Sequence, residues 1–183
     1  MQIRRAELAD ADDIATVHVR SWQAAYRGLI PQNYLDGLDP ARRRPVWERL
    51  LTETSWPRQG VLVAEVDGSI AGFAGIGPTR DHDEDPASTG EVSTIYLLPQ
   101  VWGVGIGRRL MAAALESLTV AGYKQATLWV LDTNAQARRF YESNDWHADG
   151  LIKHDRTLGF TLTEIRYRRT LTRPCEEGLG VGK

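Results

Sequence analysis

The stretch Ser93–Leu110, STIYLLPQVWGVGIGRRL, limits what this chain can fold into more than any other. An apolar run, Ile95-Tyr96-Leu97-Leu98, stops at Pro99. Glycines follow at 103, 105 and 107, then two arginines and helically spaced apolar residues. The pattern reads as strand, glycine-rich turn, helix. Such a junction aims several backbone N–H groups and the positive end of a helix dipole at one point, which suits a phosphate or pyrophosphate. A plain connection that binds nothing does not need three glycines in so short a span, because each costs backbone entropy. The junction therefore predicts a nucleotide-like, phosphate-bearing cosubstrate.

Composition narrows the partners. The chain has 183 residues, 42% hydrophobic and 25% charged, which is enough for one domain with a real core. A formal net charge of -2 leaves no basic excess to hold a polyanion, so no nucleic-acid partner is expected. One cysteine, Cys175, permits no disulfide framework and fits a reducing cytoplasm. The N-terminus MQIRRAELADADD has no apolar segment of the signal-peptide kind, and no long apolar run predicts a membrane span.

Taken in order, Gln2–Ala6 reads as a strand. Asp10 is placed to cap a helix through Ile14, Val17, Ser21 and Ala25, stopped near Gly28. Pro31 and Pro40 bracket a short helical piece, and 41–53 reads as another helix, ended by Trp56-Pro57. Two strands, 61–66 and 70–76, flank a turn at Asp67-Gly68. The polar stretch 80–89, RDHDEDPAST, reads as a solvated loop or as a cation-attracting rim for an amine. A strand at 91–98, a helix at 105–121, a strand at 125–131 and a helix at 134–143 follow. Residues 146–155 form a mixed segment and 159–168 the last strand, which gives the order β-α-α-β-β-β-α-β-α-β-β. A single domain over 1–171 is expected, with 172–183 as a flexible tail.

Strand, proline, G-V-G-I-G-R-R-L, a long helix, T-L-W-V-L-x-x-N and then A-x-x-F-Y-E together resemble the GCN5-related N-acetyltransferase (GNAT) superfamily. The resemblance spans residues 2–170 and is most specific over 91–146, where both motifs stand in order. It implies an α/β (α+β) fold: a GNAT-like mixed, mostly antiparallel central sheet of roughly six to seven strands flanked by helices. It also implies transfer of an acetyl group from acetyl-CoA to a primary amine of a small molecule, and a homodimer by resemblance only. Ile95, Tyr96 and Leu97 correspond to the strand whose backbone pairs with the pantetheine arm like an added strand. Gly103, Val104, Gly105, Ile106, Gly107 and Arg108 correspond to the pyrophosphate loop. Asn134 matches a coenzyme contact, and Tyr141 the tyrosine near the thioester sulfur that resembles a general acid. Trp22, Tyr26 and Arg27 fall in the region that lines the acceptor site. The sequence departs from the family at Trp102, where Gln or Arg is usual, and at Asn144-Asp145-Trp146, where a glycine usually precedes the aromatic. Asn and Asp tolerate the left-handed conformation better than other side chains, so that turn can survive.

The chemistry asks for further groups. An alkylammonium has a pKa of about 10, so a base must take its proton before it attacks a thioester. Glu91, ahead of the central strand, is the first choice, with Asp85, Glu84 and His82 as alternatives. A backbone N–H near Tyr96–Leu97 would face the oxyanion, and Tyr141 would protonate the leaving thiolate. His18, His147 and His154 read as packing or surface histidines, and no metal-ligand cluster is visible. Rival readings are acetylation of a protein or peptide amine, a non-catalytic acyl-CoA sensor, and an NAD-binding domain. The last is opposed by the glycine spacing.

Overall fold

The computed structural model describes residues 1–172. The expected tail therefore lies, from 173 onward and including Cys175, outside the described residues. The strands are β1 (Gln2–Arg5), β2 (Gly60–Val66), β3 (Ser69–Pro78), β4 (Thr89–Leu97), β5 (Gln125–Leu131), β6 (His147–Asp155) and β7 (Leu162–Thr170). The helices are α1 (Ala11–Ala25), α2 (Gln32–Asp36), α3 (Pro40–Thr52), α4 (Ile106–Val120) and α5 (Ala135–Glu142). All seven strands join one sheet in the order β1-β2-β3-β4-β5-β7-β6. Every neighbouring pair is antiparallel except β4–β5. This is the mixed, mostly antiparallel sheet that the motifs imply.

Helices cover both faces. The apolar stripe of α4, Leu110, Met111, Ala114, Leu115 and Leu118, packs on Ala64, Ala74, Ile76, Val92 and Leu128. On the other face Ile14 and Val17 of α1, with Trp47 and Leu51 of α3, pack on Val61, Val63 and Phe73. α3 starts as its sequence suggests: Asp39 accepts from the Ala41 N–H at 2.9 Å and Pro40 occupies the first turn. Asp10 behaves differently from the expected cap. It makes no side-chain cap bond to α1, because its carboxylate is taken by the Arg4 guanidinium at 2.7 and 3.0 Å and by the Glu7 N–H. A bidentate bond to a guanidinium, in which both partners are charged, outweighs a single cap bond to a neutral N–H.

Two further segments become definite. The mixed segment after Trp146 is a strand, β6, at the sheet edge. Its residues are almost all exposed, and its register with β7 shifts between Ala148 and Ile152 around Gly150, whose φ is +90°. An edge strand with a bulge has no inside–outside alternation to read. The acidic loop before β4 is largely solvated, with Arg80, His82, Asp83 and 85–87 exposed, but its acids are not free. Asp81 and Asp83 bind the buried Arg166 of β7 at 3.1 and 2.8 Å, and Glu84 binds Arg168. The loop is fastened across the sheet to β7.

The central feature is a fork. β4 and β5 pair only over Thr89–Glu91 and Gln125–Thr127, then part. Just beyond the last pair β4 carries a bulge: Val92 faces Ile76 and Thr94 faces Gly75, leaving Ser93 without a partner on β3. Both hydroxyls there bind Gly75, with Gly75 N–H donating to Thr94 Oγ1 at 3.2 Å and Ser93 Oγ donating to Gly75 C=O at 3.2 Å. A bulge bends its strand, and this one turns β4 away from β5.

Beneath α1, His18 sits in an aromatic box of Trp22, Trp47, Phe73 and Tyr96, stacked on the Tyr96 ring at 5.5 Å. Its Nδ1 accepts from Trp47 Nε1 at 3.3 Å. Burial, and then the nearby Arg43 charge, hold its pKa down to about 4. An unfolded histidine takes up its proton below about 6.5, whereas the native one does so only near 4. The unfolded chain thus binds more protons between those values, and stability falls as pH is lowered through that window, by roughly 3 kcal/mol. In urea melts between pH 7 and 4, His18→Phe should flatten this slope. An unchanged slope would exclude His18 as its source.

Candidate active site

Where β4 and β5 part, the fork opens into a cavity of 460 Å³. Its walls are Val92–Leu97 of β4, Trp129 and Val130 of β5, Ser21 of α1 and Tyr26 just past its end, the glycine turn, and Asn134, Ala137, Phe140 and Tyr141 at α5. The β5-facing backbone of β4 beyond Glu91 has no strand partner, so Ile95, Tyr96 and Leu97 present an open strand edge to the cavity. The Leu97 carbonyl is already used: it accepts from Ser21 Oγ and Trp102 Nε1, both at 2.9 Å. The unusual Trp102 thus anchors the turn to the end of β4.

The turn delivers the start of α4 to the same cavity. Gly103 and Gly105 have φ of +77° and +87°, which side-chain-bearing residues rarely adopt. No side chain caps α4, and its first internal bond runs from Arg109 N–H to Gly105 C=O. The N–H groups of Ile106, Gly107 and Arg108 therefore lack helix partners, and the dipole adds positive potential there. Gly103, Gly105, Gly107 and Arg108 line the cavity, while Val104 projects outward, 69% exposed. Ile106 turns into the core.

Asn134 and Tyr141 border the cavity from α5. Asn134 Oδ1 accepts from the Ala137 N–H at 3.1 Å as the cap of α5, which leaves its NH₂ free. Tyr141 is buried against Phe140, Trp146 and Tyr167, and its hydroxyl makes no hydrogen bond among the described residues. Burial pushes the phenol well above its ordinary pKa, so it keeps its proton. Asp145 has a φ of +59°, so the turn that usually carries glycine survives with an aspartate.

The other expected residues separate. Tyr26 lines the cavity, and its hydroxyl meets that of Tyr96 at 3.3 Å; burial raises both phenols. Trp22 packs behind Tyr26 at 4.9 Å, and Arg27 is exposed and away from the cavity. Glu91 does not line the cavity. It is buried, and Arg80 holds its carboxylate through Nε at 3.0 Å and the backbone N–H at 3.2 Å. It borders a second concavity of 220 Å³ with Trp47, Leu50 and Arg80. Ser93 and Thr94, the bulge residues, line both spaces. Nothing in the sequence singled them out, since a bulge has no local signature in an apolar strand. No group of three or more potential metal ligands occurs among the described residues, and no helix there is long and apolar enough to cross a membrane.

The family described as Acetyltransferase (GNAT) family matches residues 22–146. An uncharacterised N-acetyltransferase from Archaeoglobus fulgidus is 39% identical over 145 residues, covering 79% of this chain and 92% of that protein. Among solved structures, PaiA N-acetyltransferase from Thermoplasma acidophilum in complex with coenzyme A superposes with a TM-score of 0.72 at 18% identity, covering 92% of this chain and 98% of that one. YncA from Salmonella typhimurium with its cofactor acetyl-CoA gives a TM-score of 0.69 at 22% identity, covering 98% of each chain. At these identities the two structures are similar to this chain in fold.

Two glycines at the fork should respond oppositely to alanine. A Cβ at Gly75 would stand 2.8 Å from Thr94 Oγ1 and 3.0 Å from Ser93 Oγ, the groups that hold the bulge. A Cβ at Gly107 would meet Phe140 and Leu97 at 3.4 and 3.5 Å, ordinary contact. Urea denaturation of Gly75→Ala should show a loss of about 1–3 kcal/mol. Gly107→Ala should be neutral or gain up to about 1 kcal/mol from helix propensity.

Proposed function

This chain belongs to the GNAT family of acetyltransferases and is an N-acetyltransferase, and from that premise we propose that it acetylates a primary amine of a small molecule with acetyl-CoA. The observation that carries the cosubstrate is the convergence, in one cavity, of an unpaired β4 edge, the uncapped start of α4 and the Tyr141 hydroxyl. A pantetheine arm has amides that suit an open strand edge. A pyrophosphate suits three free N–H groups at a helix start, with Arg108 beside them. When bound there, acetyl-CoA supplies the thioester carbonyl that the amine attacks.

A small acceptor is favoured by the aromatic contacts and the modest concavity on the other side. Tyr34 of α2 and Phe160 of the β6–β7 loop meet edge to face at 5.2 Å, and the Tyr26–Tyr96 hydroxyl pair lies between α1 and β4. These contacts narrow the approach between α1, α2 and the β6–β7 loop. The concavity beyond Ser93 and Thr94, at 220 Å³, has room for a small molecule.

In the proposed reaction, backbone N–H groups of the Ile95–Leu97 edge face the developing oxyanion. Tyr141 presents its protonated hydroxyl to the cavity, where it can hydrogen-bond and protonate the departing thiolate. Glu91 receives the proton of the amine through a water, since its own oxygens are engaged by Arg80. No covalent enzyme intermediate is required.

Calorimetry should detect acetyl-CoA binding, and thiol release should depend on an added amine. No binding at millimolar acetyl-CoA would overturn the proposal. Tyr141→Phe should lower kcat by about 10²-fold with coenzyme affinity nearly intact, and undiminished turnover would remove Tyr141 from the reaction. Glu91→Gln should depress the rate most at low pH, where the amine is most fully protonated and most in need of a base. A pH profile parallel to that of the parent enzyme would rule Glu91 out.

A further inference from the structure

One primary amine already lies against an aromatic residue of the cavity wall. Lys153 on β6 reaches over β7 to place its Nζ 4.3 Å from the centre of the Trp129 ring and 3.1 Å from Glu164 Oε2. Trp129 lines the cavity. Glu164 acts electrostatically on Tyr26 and Tyr96, the phenols on the cavity's other wall. Arg166 also lies 5.9 Å from the Trp129 ring, but its guanidinium is engaged by Asp81, Asp83 and Asp149. Asp81 Oδ1 accepts from Trp129 Nε1 at 2.9 Å and fixes the indole in its plane.

An aromatic face and a carboxylate are the two contacts that recognise an alkylammonium. The surrounding charge favours one as well. Besides Lys153, the groups gathered here are six carboxylates (Asp81, Asp83, Glu84, Glu91, Asp149, Glu164) and three guanidiniums (Arg80, Arg166, Arg168). Lys124, Lys153 and Lys183 are the only lysines among 22 lysines and arginines, so a primary ammonium is an uncommon choice of cation for this chain. The Lys153 side chain remains 42% exposed and Glu164 is its one ion-pair partner among the described residues, so it can swing out to solvent.

We propose that the Trp129 face and the Glu164 carboxylate form a subsite for the primary ammonium of the acceptor, which Lys153 fills in the free protein and vacates when the acceptor binds. The proposal rests on the N-acetyltransferase reading for the word acceptor, while the subsite itself is testable without acetyl-CoA. The probe is n-butylammonium, which reproduces the lysine side chain from Cβ to Nζ. With ¹⁵N-labelled tryptophan, the Trp129 indole signal, assigned by its loss in Trp129→Phe, reports occupancy directly.

Titrated at constant ionic strength, Lys153→Ala should bind n-butylammonium about tenfold more tightly than the parent chain, and a further Glu164→Gln substitution should abolish the gain. Equal affinities for parent and variant, or a Trp129 signal that does not move, would overturn the subsite. In thiol-release assays KM for n-butylamine should fall about tenfold in Lys153→Ala. Tighter binding with an unaltered or raised KM would overturn its role as the acceptor's subsite. Failure of acetyl-CoA to bind would instead count against the parent reading, and the indole titration would still decide the subsite.

Discussion

The fork between β4 and β5 is what the rest of the structure depends on. Two parallel strands that pair over three residues and then part expose the backbone of both at the middle of a sheet, where such groups are normally satisfied. The chain sustains this because the cause is local. Ser93 is inserted into β4, its hydroxyl and that of Thr94 are bonded to Gly75, and Gly75 has no side chain to obstruct them. The bend follows from the bulge, and the cavity from the bend. The turn with Gly103 and Gly105 then returns the chain so that α4 begins at the mouth of the opening.

An opening in a sheet weakens it, and long-range ion pairs hold the two halves in place. Across β5, Arg166 lies buried among Asp81, Asp83 and Asp149, and Arg168 joins Glu84. These pairs bind the β3–β4 loop and β6 to β7 and so clamp the sheet beyond the closed end of the fork. Single surface pairs contribute little, but a guanidinium that has lost its water must be fully bonded, and removing one partner leaves a buried charge. The network also fixes the Trp129 indole through Asp81, so the clamp and the cavity wall are one assembly.

Much of this was legible in the sequence, and the limits have physical causes. The stripe of α4, the strand 125–131, the glycine turn and the Tyr141 helix are dictated by local periodicity and backbone restrictions, so a single sequence carries them. β6 could be placed in the strand order only as a mixed segment, because both its faces are largely exposed and its register slips at Gly150, leaving no alternation to detect. Asp10 was expected to cap because capping is a local rule, and it was drawn instead to Arg4 on β1. The acids at 81–84 found partners more than eighty residues further on, a distance over which pattern gives no warning. Which concavity Glu91 would border was not legible either, because one strand position decides which face a side chain takes and the bulge at Ser93 breaks the count along β4.

The charges around the opening are sorted by position. At one end stand the free N–H groups of α4 and Arg108, and at the other the carboxylates of Glu91 and Glu164 among their guanidiniums. Between them lie Tyr26, Tyr96 and Tyr141, three phenols that burial keeps neutral. An anionic cosubstrate and a cationic acceptor would each be drawn to a different end, and neither is attracted to the other's place. The two would then meet over uncharged hydroxyls, where solvent is scarce and a hydrogen bond to a developing negative charge counts for more than it does in water. Ionised groups at the meeting point would bind the reactants about as well as the transition state. Neutral donors held in place favour the charge that appears only as the reaction proceeds.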